Sequence, residues 1–166
     1  AGLLGALLQM LFHAAAKIGV FLCAGSAIFL TGTETLDGFP GLGRRLPATM
    51  VCFTLLSLSL VGIPPFGGFF SKWYLALGAI QKGQYLFVAA LILSSLLRAI
   101  YFFRLLEHVF MDPKKERRDK YPKAELPWQM LVPVLTAGIV IVGLGLFHTG
   151  IVSGIFGKAL MEVIHA

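Results

Sequence analysis

Four long apolar stretches separated by short polar segments set the pattern of this chain of 166 residues. They run from about Leu3 to Leu30, Ala48 to Ile80, Tyr85 to Phe110 and Trp128 to Phe147. Each reaches the roughly 20 residues that a helix needs to cross a bilayer. Nothing alternates apolar and polar with period two, and a barrel strand would need only about 10 residues. The pattern therefore predicts an all-α polytopic membrane protein with four transmembrane helices.

The segments between them read as connections. Residues 31–46 (TGTETLDGFPGLGRRL) are rich in Gly and Pro and predict a loop, after which Pro47 suits a first helical position. Gln81–Gln84 (QKGQ) predicts a tight turn between antiparallel neighbours. Residues 111–127 (MDPKKERRDKYPKAELP) are charged and bracketed by prolines, hence a water-exposed loop. Trp128, Tyr85, Trp73 and Tyr74 are candidates for an interfacial aromatic belt. Residues 1–149 then form one helical unit. The tail 150–166 (GIVSGIFGKALMEVIHA) is read either as an amphipathic piece at the interface or as a continuation of the fourth helix.

The second stretch is irregular in its middle. From Ala48 to Ile80 a straight helix would measure about 50 Å, beyond the roughly 30 Å hydrocarbon core. Val61–Phe70 (VGIPPFGGFF) explains the excess. Pro64 and Pro65 each lack a backbone donor and clash with the preceding turn, while Gly62, Gly67 and Gly68 lower helix propensity. A discontinuity at Ile63–Gly68 is expected. Irregular backbone at membrane depth is tolerated where protein buries it or where it lines a watery cavity.

Composition agrees with this class. Hydrophobic residues make up 57% and charged residues 13%, about half the charge of a soluble domain, and the mean hydropathy is +0.84. The formal charge of +6 does not point to nucleic acid. Six of the fourteen basic residues lie between Asp112 and Pro127, interleaved with four acids, without stacking aromatics. By the positive-inside rule, the eight Lys and Arg of loops 31–46 and 111–127, against Lys82 and Lys158 opposite, place those loops in the cytoplasm and both chain ends on the outer face. Cys23 and Cys52 lie within apolar runs and are read as packing residues. The chain begins Ala-Gly-Leu-Leu, with no Met and no basic n-region, so it is expected to start mid-protein.

Charged residues inside the apolar stretches carry the candidate chemistry, because each costs about 2.5–3.5 kcal/mol or more at membrane depth. Lys17 lies roughly 20 Å from either end of its helix, too far to snorkel, and is expected to meet a partner or water inside a bundle. His13 precedes it by one turn on the same face. The pair reads as a proton relay, with a structural polar contact as the alternative. Lys72 follows the helix break. A charged residue beside a discontinuous helix marks ion sites in transporters, and snorkelling is the rival account. Arg98, mid-helix and not deprotonated at useful pH, reads as a fixed countercharge or an inter-subunit contact. Arg104 and Glu107 are spaced to pair. No phosphate loop or nucleophile–base arrangement is present, and His148 and His165 are too scattered to hold a metal.

Three blocks carry a resemblance: Phe12–Gly25 (FHAAAKIGVFLCAG), Gly41–Pro47 (GLGRRLP) and Ser59–Tyr74 (SLVGIPPFGGFFSKWY). In this order and spacing they resemble the antiporter-like membrane subunits shared by respiratory complex I, membrane-bound hydrogenases, including formate hydrogenlyase, and Mrp cation/proton antiporters. The chain matches the C-terminal third of such a subunit. The resemblance implies that Lys72 is a proton-carrying lysine on a polar axis, with Lys17 and His13 linking it to the first half of the subunit. Arg98 departs from the family pattern, where a neutral polar residue is expected. The implied function is translocation of protons, or of Na⁺, in a redox-driven complex of a bacterial or archaeal cytoplasmic membrane. A cation/proton antiporter without redox partner is the alternative, and a scaffold without transport a third reading. No cofactor is implied in this chain; iron–sulfur clusters or flavin would lie in partner subunits, beside other membrane subunits and the lipid bilayer.

Overall fold

The computed structural model describes residues 2–36, 41–111 and 126–156, and among these every regular element is helical. Helix α1 spans Gly2–Thr31 and α2 is a short turn of helix at Leu42–Arg45. The expected broken span is α3 (Pro47–Val61) and α4 (Gly67–Gln81). After a turn come α5 (Tyr85–Phe110), α6 (Trp128–Leu146), the short α7 (His148–Ile151) and a π-helical turn at Val152–Phe156. Most of loop 111–127 and the tail beyond Phe156, including Lys158 and His165, lie outside the described residues.

Helices α1, α5 and α6 are each long and apolar enough to cross a membrane. Helices α3 and α4 have 15 residues apiece, about 22 Å each at 1.5 Å per residue, so neither spans the core alone. Pro47 occupies the start of α3, where its missing N–H is no loss. At the other end Gly62 adopts φ +91°, and the amides of Gly62 and Ile63 both donate to Leu58 O, at 3.0 and 3.2 Å. Around this left-handed glycine the Ile63 bond is the 6→1 closure of a Schellman motif and the Gly62 bond the 5→1 closure of an αL motif, both on one carbonyl.

The discontinuity covers residues 62–66 rather than Ile63–Gly68. Gly67 and Gly68 belong to the first turn of α4, and close packing explains their presence there. A Cβ on Gly67 would sit 2.9 Å from the Phe12 ring, and one on Gly68 would run into the Ser59 carbonyl oxygen. The loop 31–46 likewise differs by the added α2, whose Gly43 lies flat against the Phe110 ring.

Helix α1 packs on α4, α3 and α6, and α6 closes on α3, so the broken span is enclosed by two continuous helices. The core runs through Ala16, Cys23, Met50, Leu56, Val134 and Ile141. Both cysteines are buried and reduced; Cys23 Sγ lies 3.6 Å from Thr49 O, and Cys52 faces Gly138. Helix α5 is different. It buries only Val109 and presents Leu86, Ile92, Leu96, Ile100 and Phe103 outward, as a lipid-facing or subunit-facing helix would.

Candidate functional site

The last four carbonyls of any helix lack intrahelical partners. At the end of α3, Leu58 O is taken by the Schellman amides, while Leu60 O and Val61 O are taken by Lys72. Lys72 stands on the second turn of α4 and reaches back across the break. Its Nζ donates to Val61 O at 2.6 Å, to Leu60 O at 3.1 Å and to Ser95 Oγ of α5 at 2.9 Å. A cation at a helix C-terminus also complements the helix dipole. The three donors of an ammonium thus meet three oxygens from two other helices.

Gly62 completes this cradle twice over. Its φ of +91° is a conformation that L side chains rarely adopt. A Cβ there would also lie 3.0 Å from Lys72 Nζ and 3.1 Å from its Cδ.

One residue before Lys72, Ser71 Oγ donates to Gln9 Oε1 of α1 at 2.6 Å and lies 3.1 Å from Gly68 O. Gln9, His13 and Lys17 follow one another at four-residue spacing on α1, hence along one face. His13 is half-buried, its Nδ1 is enclosed without a hydrogen-bond partner, and it lies within electrostatic reach of Lys17, Arg98 and Lys72. The expected partner of Lys17 is not among the described residues. Its side chain is exposed and makes no hydrogen bond or ion pair there.

Arg98 is half-buried one turn beyond Ser95 and acts through space on both His13 and Lys72. It has no hydrogen bond or ion pair among the described residues. Arg104 and Glu107 are exposed, and no ion pair joins them. His148 sits against Phe70 of α4 with ring centroids 3.4 Å apart and planes 10° from parallel; its Nδ1 donates to Gly145 O at 2.9 Å. Among the described residues no His, Cys, Asp and Glu side chains gather as a metal site would need.

Sequence reasoning missed Ser95, Ser71 and Gln9. The available signals were modest: a Ser94–Ser95 pair within an apolar helix one turn before Arg98, and a glutamine one turn before His13. A neutral hydroxyl in an apolar helix satisfies its own backbone so often that it does not stand out; Ser26 and Ser57 do so here.

A family model described as NADH:quinone oxidoreductase/Mrp antiporter, transmembrane region, matches residues 1–98. NADH-quinone oxidoreductase subunit N of Desulforudis audaxviator is 44% identical over 95% of this chain and 34% of its own length. The F(420)H(2) dehydrogenase subunit N of Methanosarcina mazei is 31% identical over 86% of the chain and 30% of its own. Among solved structures, the archaeal membrane-bound sulfane sulfur reductase superposes with a TM-score of 0.77 at 27% identity, over 90% of this chain and 29% of that one. The chain therefore spans about a third of the length of the curated relatives it matches.

Proposed function

This chain belongs to the NADH:quinone oxidoreductase/Mrp antiporter family of transmembrane proteins, and we propose that it is the part of an antiporter-like subunit in which a proton, or Na⁺, passes Lys72 on its way across the membrane. The observation that carries the reading is the Lys72 ammonium, held by the open carbonyls of a broken helix. Discontinuous helices whose open backbone groups face a charge recur at the ion sites of transporters, which supports this reading.

In this reading Lys72 alternates between charged and neutral, and its charge state is coupled to that of His13 and Lys17 on α1 through Coulomb interaction. Lys17, exposed on the outward face of α1, is where the remaining length of such a subunit meets this chain. Loops 31–46 and 111–127 lie in the cytoplasm and both chain ends on the outer face. The subunit works within a redox-driven complex whose iron–sulfur clusters or flavin reside in other subunits. The 44% identity with an NADH-quinone oxidoreductase subunit supports this choice over a redox-free antiporter.

The test is the full-length subunit in its assembled complex, reconstituted in vesicles. With Lys72→Ala, ion translocation is expected to cease while the complex still assembles; undiminished translocation would leave Lys72 a structural residue. Low-temperature EPR of the same preparation separates the two assemblies. Iron–sulfur signals reducible by a physiological donor mark the redox-driven complex, and a cofactor-free complex that still exchanges cations marks the antiporter.

A further inference from the structure

Lys72 is cradled by three oxygens of unequal chemistry, and the inequality singles out one residue on α5. A backbone carbonyl accepts hydrogen bonds and never donates. Of the three groups on Nζ, two are carbonyls, Leu60 O and Val61 O, and the third is the Ser95 hydroxyl. All three can accept a hydrogen bond from the charged ammonium. The neutral amine has two N–H donors and one lone pair. With both carbonyls retaining their donors, the lone pair faces Ser95, and a hydroxyl is the one group in the cradle able to donate into it.

We infer that Ser95 is a positioning residue for Lys72, its hydroxyl accepting from the charged side chain and turning to donate to the neutral one. The inference rests on the reading of Lys72 as the group that loads and unloads. The reversal needs only rotation of the Ser95 O–H, so both charge states fit one backbone arrangement and the neutral amine's lone pair is not left unpaired. The neighbouring Ser94 cannot substitute, since its hydroxyl donates to Leu91 O of its own helix at 2.9 Å. On the opposite side of the cradle stands Gly62, which offers no side chain at all. The charged or titratable groups acting on the cradle are Arg98, one turn along α5, and His13 of α1 with Lys17 beyond it; α3 and α6 carry no Lys, Arg, His, Asp or Glu.

The experiment compares Ser95→Ala, Ser95→Thr and Ser95→Val with Lys72→Ala in the full-length subunit of the assembled complex, by proton flux into vesicles. Thr and Val have the same shape, so any steric intrusion at position 95 affects both alike and only the hydroxyl distinguishes them. Ser95→Ala and Ser95→Val are expected to lower flux about tenfold or more, the scale of one hydrogen bond to a charged group, while Ser95→Thr keeps most of it. Full flux in Ser95→Ala beside a silent Lys72→Ala overturns the role of Ser95 alone. Equal loss in Ser95→Thr and Ser95→Val also overturns it, because shape and not the hydroxyl would then matter. Full flux in Lys72→Ala overturns the reading of Lys72 and takes the inference with it.

Discussion

Lys72 and Lys17 are both lysines within apolar helices, and their surroundings are opposites. Lys72 lies between α3, α4 and α5 with all three donors taken. Lys17 stands on the outward face of α1 and makes no bond within the described residues. The difference teaches that a charge in an apolar helix can be answered in two ways. Its own chain can fold a cradle around it, beside a broken helix, or the charge can stand exposed, outside the contacts among the described residues. The stripe Gln9–His13–Lys17 joins the two solutions, bound to Ser71 at one end and open at the other.

Removing the cradled charge is the most severe way to break this contrast. Lys72→Ala is expected to abolish vesicle proton flux, whereas Lys17→Ala lowers it about tenfold through lost Coulomb coupling and leaves the melting temperature of the purified subunit within error. Equal effects of the two on stability would erase the distinction. Next comes the helix break that makes the cradle. Gly68→Ala drives a Cβ into the Ser59 carbonyl oxygen, and overpacking costs about 1–3 kcal/mol or more. A clear fall in the melting temperature is expected, with no fall for Gly143→Ala, where no atom lies within 4 Å.

Gly62→Ala sharpens the comparison at smaller scale. The left-handed conformation costs a non-glycine residue about 1–2 kcal/mol, and the new methyl crowds Lys72 Nζ. Flux is expected to fall more than stability does, read by vesicle assay beside thermal unfolding. The smallest effect is expected from Arg104→Gln. With an exposed side chain and no ion pair to Glu107, it should change both readouts by less than about twofold, in keeping with the small worth of exposed charges.

Much of this was legible in the residues themselves. The limits of α1 and α5 follow hydropathy to within a residue, because in an apolar solvent a helix must satisfy its own backbone along its whole crossing. The need for a break near Pro64–Pro65 followed from length and proline chemistry. Its register did not. Gly67 and Gly68 look like helix breakers by propensity, yet they open α4, since only there does a missing Cβ let α4 approach Phe12 and Ser59. Helix propensity is a local quantity, and contact with a neighbour overrode it. Ser95 was invisible for a related reason. Nothing in a serine's hydropathy records that a lysine 23 positions earlier in the chain will point at it. What Lys17 meets was not legible either, because helix periodicity shows which residues share a face and not what that face meets.

The glycine seats have a mechanical consequence. Gly5 rests on the backbone of Tyr74 and Leu75, Gly145 on Pro65 and Phe66, and Gly68 on Ser59. These are backbone contacts with no flexible side chain in between to act as a cushion. Helix α4 is thus clamped by α1 and by the end of α3, and the break by α6. Among the described residues the break is therefore a seat of backbone on backbone, and sliding α4 along α1 would first have to part those contacts.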